Sequence, residues 1–156
     1  MRSKTWGTML VMAMALGTSA CGYNQIQTLD EQVNKAQAQI ETQLQRRADL
    51  IPNLVQTVKG VAAQESTVFT SIAESRAKLS GAVKSGDIGA MSQANQAVSS
   101  DLGRLLVIAE AYPQLKSDQS FRDLQAQLEG TENRIAVART DYNAARRENL
   151  RPRSRL

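Results

Sequence analysis

The chain has 156 residues, is 42% hydrophobic but only 4% aromatic, and carries 3 prolines, no histidine, a single cysteine and a formal net charge of +4. That length suits one domain with a core of its own, and a core of Leu, Ile, Val and Ala in place of aromatics points to helices and away from a sandwich or barrel. Without histidine, and with Cys21 alone, most zinc, iron and copper ligand sets, the Ser-His and Cys-His nucleophile pairs and an intrachain disulfide are excluded, so no metal and no cofactor are expected.

The charge is unevenly spread. Residues 21–145 hold 12 basic and 14 acidic side chains, whereas Arg146, Arg147, Arg151, Arg153 and Arg155 crowd the end against Glu148 alone. A body of slightly negative charge lacks the basic footprint that nucleic acid requires. The Arg-rich end could touch anionic head groups, but a solvated or accidental end is the preferred reading, and residues 150–156 are expected to be a disordered tail.

Residues 1–20 have a targeting grammar. Arg2 and Lys4 form a basic start, Met9 to Leu16 an unbroken apolar run, and Gly17 to Ala20 a stretch of small residues before Cys21. An apolar run this short cannot span a bilayer, which takes about 20 residues, and it matches the apolar region of a signal peptide. Cys21 after Thr18-Ser19-Ala20 resembles a lipobox with Thr18 in the usual Leu place, so Cys21 is the expected lipid attachment site. Acylation there, by palmitate or a similar chain, would tether the protein to a membrane with the domain outside the cytoplasm. Residues 21–28 would be the linker, and 29–149 the folded body.

The apolar positions Leu29, Val33, Ala36, Ile40 and Leu44 advance in steps of three and four, which predicts a first helix closing near Ala48. Asp49 then suits an N-cap and Pro52 a first turn, predicting a joint and a second helix from about Leu50 to Val83 with Gly60 inside it. Ser85-Gly86-Asp87 is a stop followed by a cap. A third helix carries Ile88, Met91, Asn95, Val98, Leu102, Leu105, Ala109 and Tyr112. After a break over Pro113 to Ser117, a fourth carries Phe121, Leu124, Leu128, Thr131, Ile135, Ala138, Tyr142 and Ala145. Regular stripes joined by short loops predict an all-α, elongated, up-and-down four-helix bundle.

Several of these segments together, CGYN at 21–24, QRRADLIPNLVQTVKG at 45–60, YPQLK at 112–116, Phe121 and ENRIAVARTDYN at 132–143, resemble the LemA family of bacterial envelope proteins. The resemblance covers residues 21 to about 143. It implies a helical bundle tethered by an N-terminal helix or a lipid, and an envelope or membrane-remodelling role, since relatives occur beside membrane-bound proteases and among proteins that form magnetosome membranes. The chain departs from the family in placing Gln37 where many members have Trp, and Val61 and Gln64 where Tyr and His are common. It also ends in AARRENLRPRSRL where a second Tyr-Asn pair and a Phe-Pro segment are usual, an ending that a truncation or shifted frame would produce.

Arg46, Arg47 and Asp49, with Asn53 beside them, are the candidate partner-binding set, because paired guanidinium groups bind carboxylate or phosphate well. They have an equally physical role as a joint, with arginines at one helix C-terminus and an aspartate at the next N-terminus, each opposing the helix dipole. Asn95, in an apolar stripe, reads as a register-setting residue. Glu65 and Glu110 are the carboxylates nearest the stripes, and facing acids are what glycan hydrolysis would need. No motif accompanies them, and no catalytic residue is assigned. The reading is a membrane-tethered, non-catalytic scaffold that binds another envelope protein; a self-associating structural or membrane-remodelling protein and a carboxylate-dependent envelope hydrolase are its rivals.

Overall fold

The structure, a computed structural model, describes the backbone of residues 3–153 and the side chains of residues 26–151. Residues 1–25, with Cys21 and the stretch expected to be a signal and lipobox, lie outside the described side chains. Among the described residues there are five helices and no strand: α1 (Ser3–Lys59), α2 (Ser66–Ser85), α3 (Ile88–Glu110), α4 (Pro113–Ser117) and α5 (Gln119–Arg153). The protein is all-α, as its composition requires.

The chain divides into two compact units. One comprises Met1–Ala36 with Thr140–Leu156, the other Gln37–Arg139. Within the first, Asn149 Nδ2 donates to Asp30 Oδ1 at 2.7 Å, and Leu29 and Asn149 are buried. α5 continues to Arg153, so the stretch expected to be a disordered tail is helical over its first residues.

In the second unit the stripes face inward. Ile40, Leu44, Ile51, Leu54 and Val58 of α1 are buried, as are Ile72 and Leu79 of α2, Met91, Val98 and Leu105 of α3, and Leu128 and Ile135 of α5. Each such side chain contributes about 1.5–3 kcal/mol relative to remaining exposed. Thr131 takes a fully buried position because its Oγ1 donates to the Leu128 carbonyl at 2.8 Å, leaving no polar atom unpaired. α2 and α3 run antiparallel, with Ser71 Oγ donating to Asp101 Oδ1 at 2.8 Å and Gln64 at one end donating to the Tyr112 hydroxyl.

The joint expected at Asp49 does not exist. α1 runs unbroken through Asp49 and encloses Pro52. A helix-interior proline has no N–H to give the carbonyl four residues back, here that of Ala48, which normally costs about 3 kcal/mol. Arg76 of α2 supplies the missing donor: its Nε donates to the Ala48 carbonyl at 2.8 Å. Ala48, Ile51 and Leu54 around the proline are 1% exposed or less, so packing along the inward face holds the segment helical.

The break comes instead where Gly60 was expected inside a helix. α1 ends at Lys59, and Val61 and Ala62 N–H both turn back to the Val58 carbonyl. Ala62, fully buried, anchors this corner, and Glu65 then occupies the N-cap position of α2. Gly is the weakest helix former after proline, so the chain leaves the helix where leaving is least costly.

The Ser85-Gly86-Asp87 turn forms as its sequence predicts. Gly86 adopts φ +69°, a left-handed conformation that glycine takes without a Cβ clash, and Asp87 Oδ1 accepts from the N–H groups of Gly89 and Ala90. Gln37 donates from its Nε2 to the Gly86 carbonyl at 3.0 Å and ties this turn to α1. The segment from Pro113 to Ser117 is a short helix, α4, in place of the expected open break. Pro113 starts it, Leu115 is buried beneath it, and Asp118 Oδ1 accepts from the Phe121 N–H to begin α5.

If Arg76 replaces the bond that Pro52 removes, the two residues must be energetically coupled. Arg76→Ala is expected to cost about 1–2 kcal/mol in urea unfolding, the penalty of an unsatisfied carbonyl. In a Pro52→Ala background, where the backbone N–H returns, that cost should shrink by about 1 kcal/mol. An identical cost in both backgrounds would show that Arg76 does not substitute for the missing bond.

Candidate functional site

A continuous helix turns 100° per residue, so Arg46 and Arg47 cannot act as one paired guanidinium site. They point to different surroundings. Arg47 continues the apolar stripe between Leu44 and Ile51 and is only 4% exposed. Arg46, Asp49 and Asn53 follow one another at steps of three and four on the exposed side of α1.

Arg47 is held by two other helices. Its Nη1 donates to Asn95 Oδ1 of α3 at 2.6 Å and to Glu132 Oε2 of α5, with which it forms a salt bridge; its Nη2 donates to Ser99 Oγ at 3.1 Å. Ser99 Oγ in turn donates to the Asn95 carbonyl at 3.1 Å. Burial holds the guanidinium below its ordinary pKa, and the Glu132 charge opposes that shift. An arginine remains charged in such a setting, so its interior neighbours must be acceptors, and all three are. Its Nε alone is buried without a partner. Asn95, expected to set register, is thus one of two α3 members, with Ser99, of a three-helix polar cluster.

Sequence reasoning missed Ser99, Glu132 and Arg76. Ser99 lies one helical turn beyond Asn95, a spacing that could have suggested it. Glu132 gives no such signal, because its side chain is 46% exposed and sits among the many acids of a solvated helix.

The exposed side of α1 borders an open groove of about 530 Å³ lined by Glu41, Thr42, Gln45, Arg46, Asp49, Leu50 and, from α2, Val83. Asp49 accepts from Gln45 Nε2 at 2.9 Å. Arg46 makes no hydrogen bond or ion pair among the described residues. Glu110 is exposed at the end of α3 and Glu65 is half-buried at the start of α2, and neither borders this groove. Among the described residues no group of three acidic, Cys or His side chains could hold a metal, and no helix is long and apolar enough to cross a membrane.

The sequence matches the model of the LemA family over residues 36–150. The chain belongs to the LemA family. Its curated relatives include magnetosome protein MamQ 2 and magnetosome protein MamQ 1 of Paramagnetospirillum magneticum, each 28% identical over 88% of this chain, and magnetosome protein MamQ of Magnetospirillum gryphiswaldense, 27% identical over the same share. This LemA-family chain spans 59% of the length of each of those three relatives.

The inside-outside division of the two arginines has a direct energetic signature. Arg47→Ala should cost about 2–3 kcal/mol, somewhat below the range for breaking a fully buried pair, because the orphaned Glu132 is half exposed. Glu132→Gln keeps an acceptor in place and should cost about 1 kcal/mol. Arg46→Ala should stay within about 0.5 kcal/mol of the parent, as surface changes do. Equal losses for the two arginines in chemical denaturation would contradict the division.

Proposed function

We propose that this chain is a membrane-tethered, non-catalytic interaction protein of the bacterial cell envelope, acylated at Cys21, with its helical body outside the cytoplasm and arranged as an up-and-down four-helix bundle. The observation that carries the reading is the exposed face of Arg46, Asp49 and Asn53. α1 needs none of the three for its own continuity, since the helix passes through them unbroken and Arg47 and Arg76 do the internal pairing. Arg46 presents an unengaged guanidinium beside a carboxylate, on the rim of an open groove, which suits a partner carrying both an acidic and a donor group.

Family membership and the magnetosome naming of the relatives support association with a membrane. A second reading is that the protein associates with itself or remodels the membrane. Val107, Val137 and Leu150, 67%, 61% and 52% exposed, are the large apolar side chains among the described residues that such contacts would use.

Two variants of the full chain, expressed in its native host, separate the tether from the contact. Cys21→Ser should move the protein from the membrane fraction to the soluble fraction, and unchanged membrane retention would remove the lipid anchor from the proposal. The double variant Arg46→Ala, Asp49→Ala should stay folded and lose its co-purifying envelope partner by about tenfold or more, the effect of ~1.4 kcal/mol. Retention of every partner by this folded double variant would defeat the role of the α1 face.

A further inference from the structure

Arg47, Ser99 and Glu132 also border a second groove, of about 320 Å³, whose apolar lining is Leu54, Leu102, Leu106 and Leu128. That volume is at the lower end of the roughly 300–1,000 Å³ typical of binding pockets. Its two walls are the antiparallel helices α3 and α5, and they differ in chemistry.

The α3 wall is apolar and low. At Gly103 an added Cβ would meet nothing within 4 Å, so the groove is open there for want of a side chain, and one turn on Val107 is left 67% exposed. The α5 wall is acidic. Glu132 is already neutralised by Arg47, but Glu129 accepts only a neutral hydrogen bond, from Gln125 Nε2 at 3.1 Å, and has no ion pair among the described residues. An apolar trough between two helices, with one wall opened by Gly103 and an uncompensated carboxylate on the other, matches the helix-in-groove mode of recognition. A fatty acid or phospholipid would satisfy the leucines but bring an anionic head against Glu129, and like charges at close range oppose binding.

We propose that the groove between α3 and α5 docks an amphipathic helix of a partner protein, its apolar side chains over Leu102, Leu106 and Leu128 and a Lys or Arg facing Glu129. The proposal shares with the preceding one only the expectation of a protein partner, and it uses a different surface.

The test places the photo-crosslinking amino acid p-benzoylphenylalanine at the exposed Val107, one turn along α3 from the groove-lining Gly103, in the full chain within native host cells. The crosslinked peptide is then sequenced. The expected product is a segment with apolar residues at three- and four-residue spacing and a Lys or Arg among them. Its yield should fall at least about tenfold with Gly103→Leu, which fills the trough, and with Glu129→Lys, which reverses the charge. Replacing the partner's basic residue by Glu should restore the yield with Glu129→Lys. Both α3 and α5 changes lie on the exposed side, and an unchanged thermal midpoint confirms that the variants fold. A crosslink to lipid, to a second copy of this chain, or to no molecule overturns the proposal, as does a crosslink indifferent to Glu129→Lys. Loss of partners in the Arg46, Asp49 variant with no crosslink at Val107 sinks the groove alone; failure of both sinks the interaction reading as well.

Discussion

The organisation of residues 37–139 depends on two consecutive positions of α1. The Arg47 side chain is bound by α3 and α5, and the Ala48 carbonyl, next in the chain, is bound by Arg76 of α2. One level of α1 is therefore tied by hydrogen bonds to every other long helix of the unit. Apolar stripes at three- and four-residue spacing can slide by a turn at modest cost, because one leucine layer resembles the next. A buried guanidinium cannot: displaced by a turn it would lose Asn95, Ser99 and Glu132 together and be left charged among leucines. The cluster thus favours one register of α1 over its neighbours.

Pro52 belongs to the same device. A proline in mid-helix creates a free carbonyl at a fixed place, and a free carbonyl that is partly buried needs a donor. Arg76 answers it from α2, so a local defect of α1 becomes a directional tie to a second helix. Backbone and side chain serve one purpose here, since the residue that loses its backbone donor adjoins the residue that inserts its side chain into the core.

The stripes of α3 and α5 and the Gly86-Asp87 turn were legible because each depends on neighbours within a few residues. The continuity of α1 was not, because the donor that makes Pro52 tolerable lies 28 positions from Ala48 along the chain. That single misreading carried others with it. Ending the first stripe at Leu44 and starting a new one at Ile51 hid the fact that Arg47 falls on the same spacing as both, and so belongs inside. It also lengthened the second helix through Gly60, where the chain in fact turns. The exposed positions of the candidate set, Arg46, Asp49 and Asn53, survive the correction, because three- and four-residue steps place them on one face whether or not a joint precedes them.

The groove between α3 and α5 follows from the same polar layer. An arginine that enters a bundle must be met by acceptors, and acceptors on α3 and α5 are Asn95, Ser99 and Glu132, not leucines. Ser99 and Gly103 are too small to reach across from α3, while Glu129 and Glu132 of α5 keep their carboxylates at the rim, where water solvates the charge. Leu102, Leu106 and Leu128 are then left beneath an opening that no side chain of this unit closes. The interaction that fixes the register of α1 therefore also keeps α3 and α5 from sealing beside it, and it leaves an apolar trough with a negative edge.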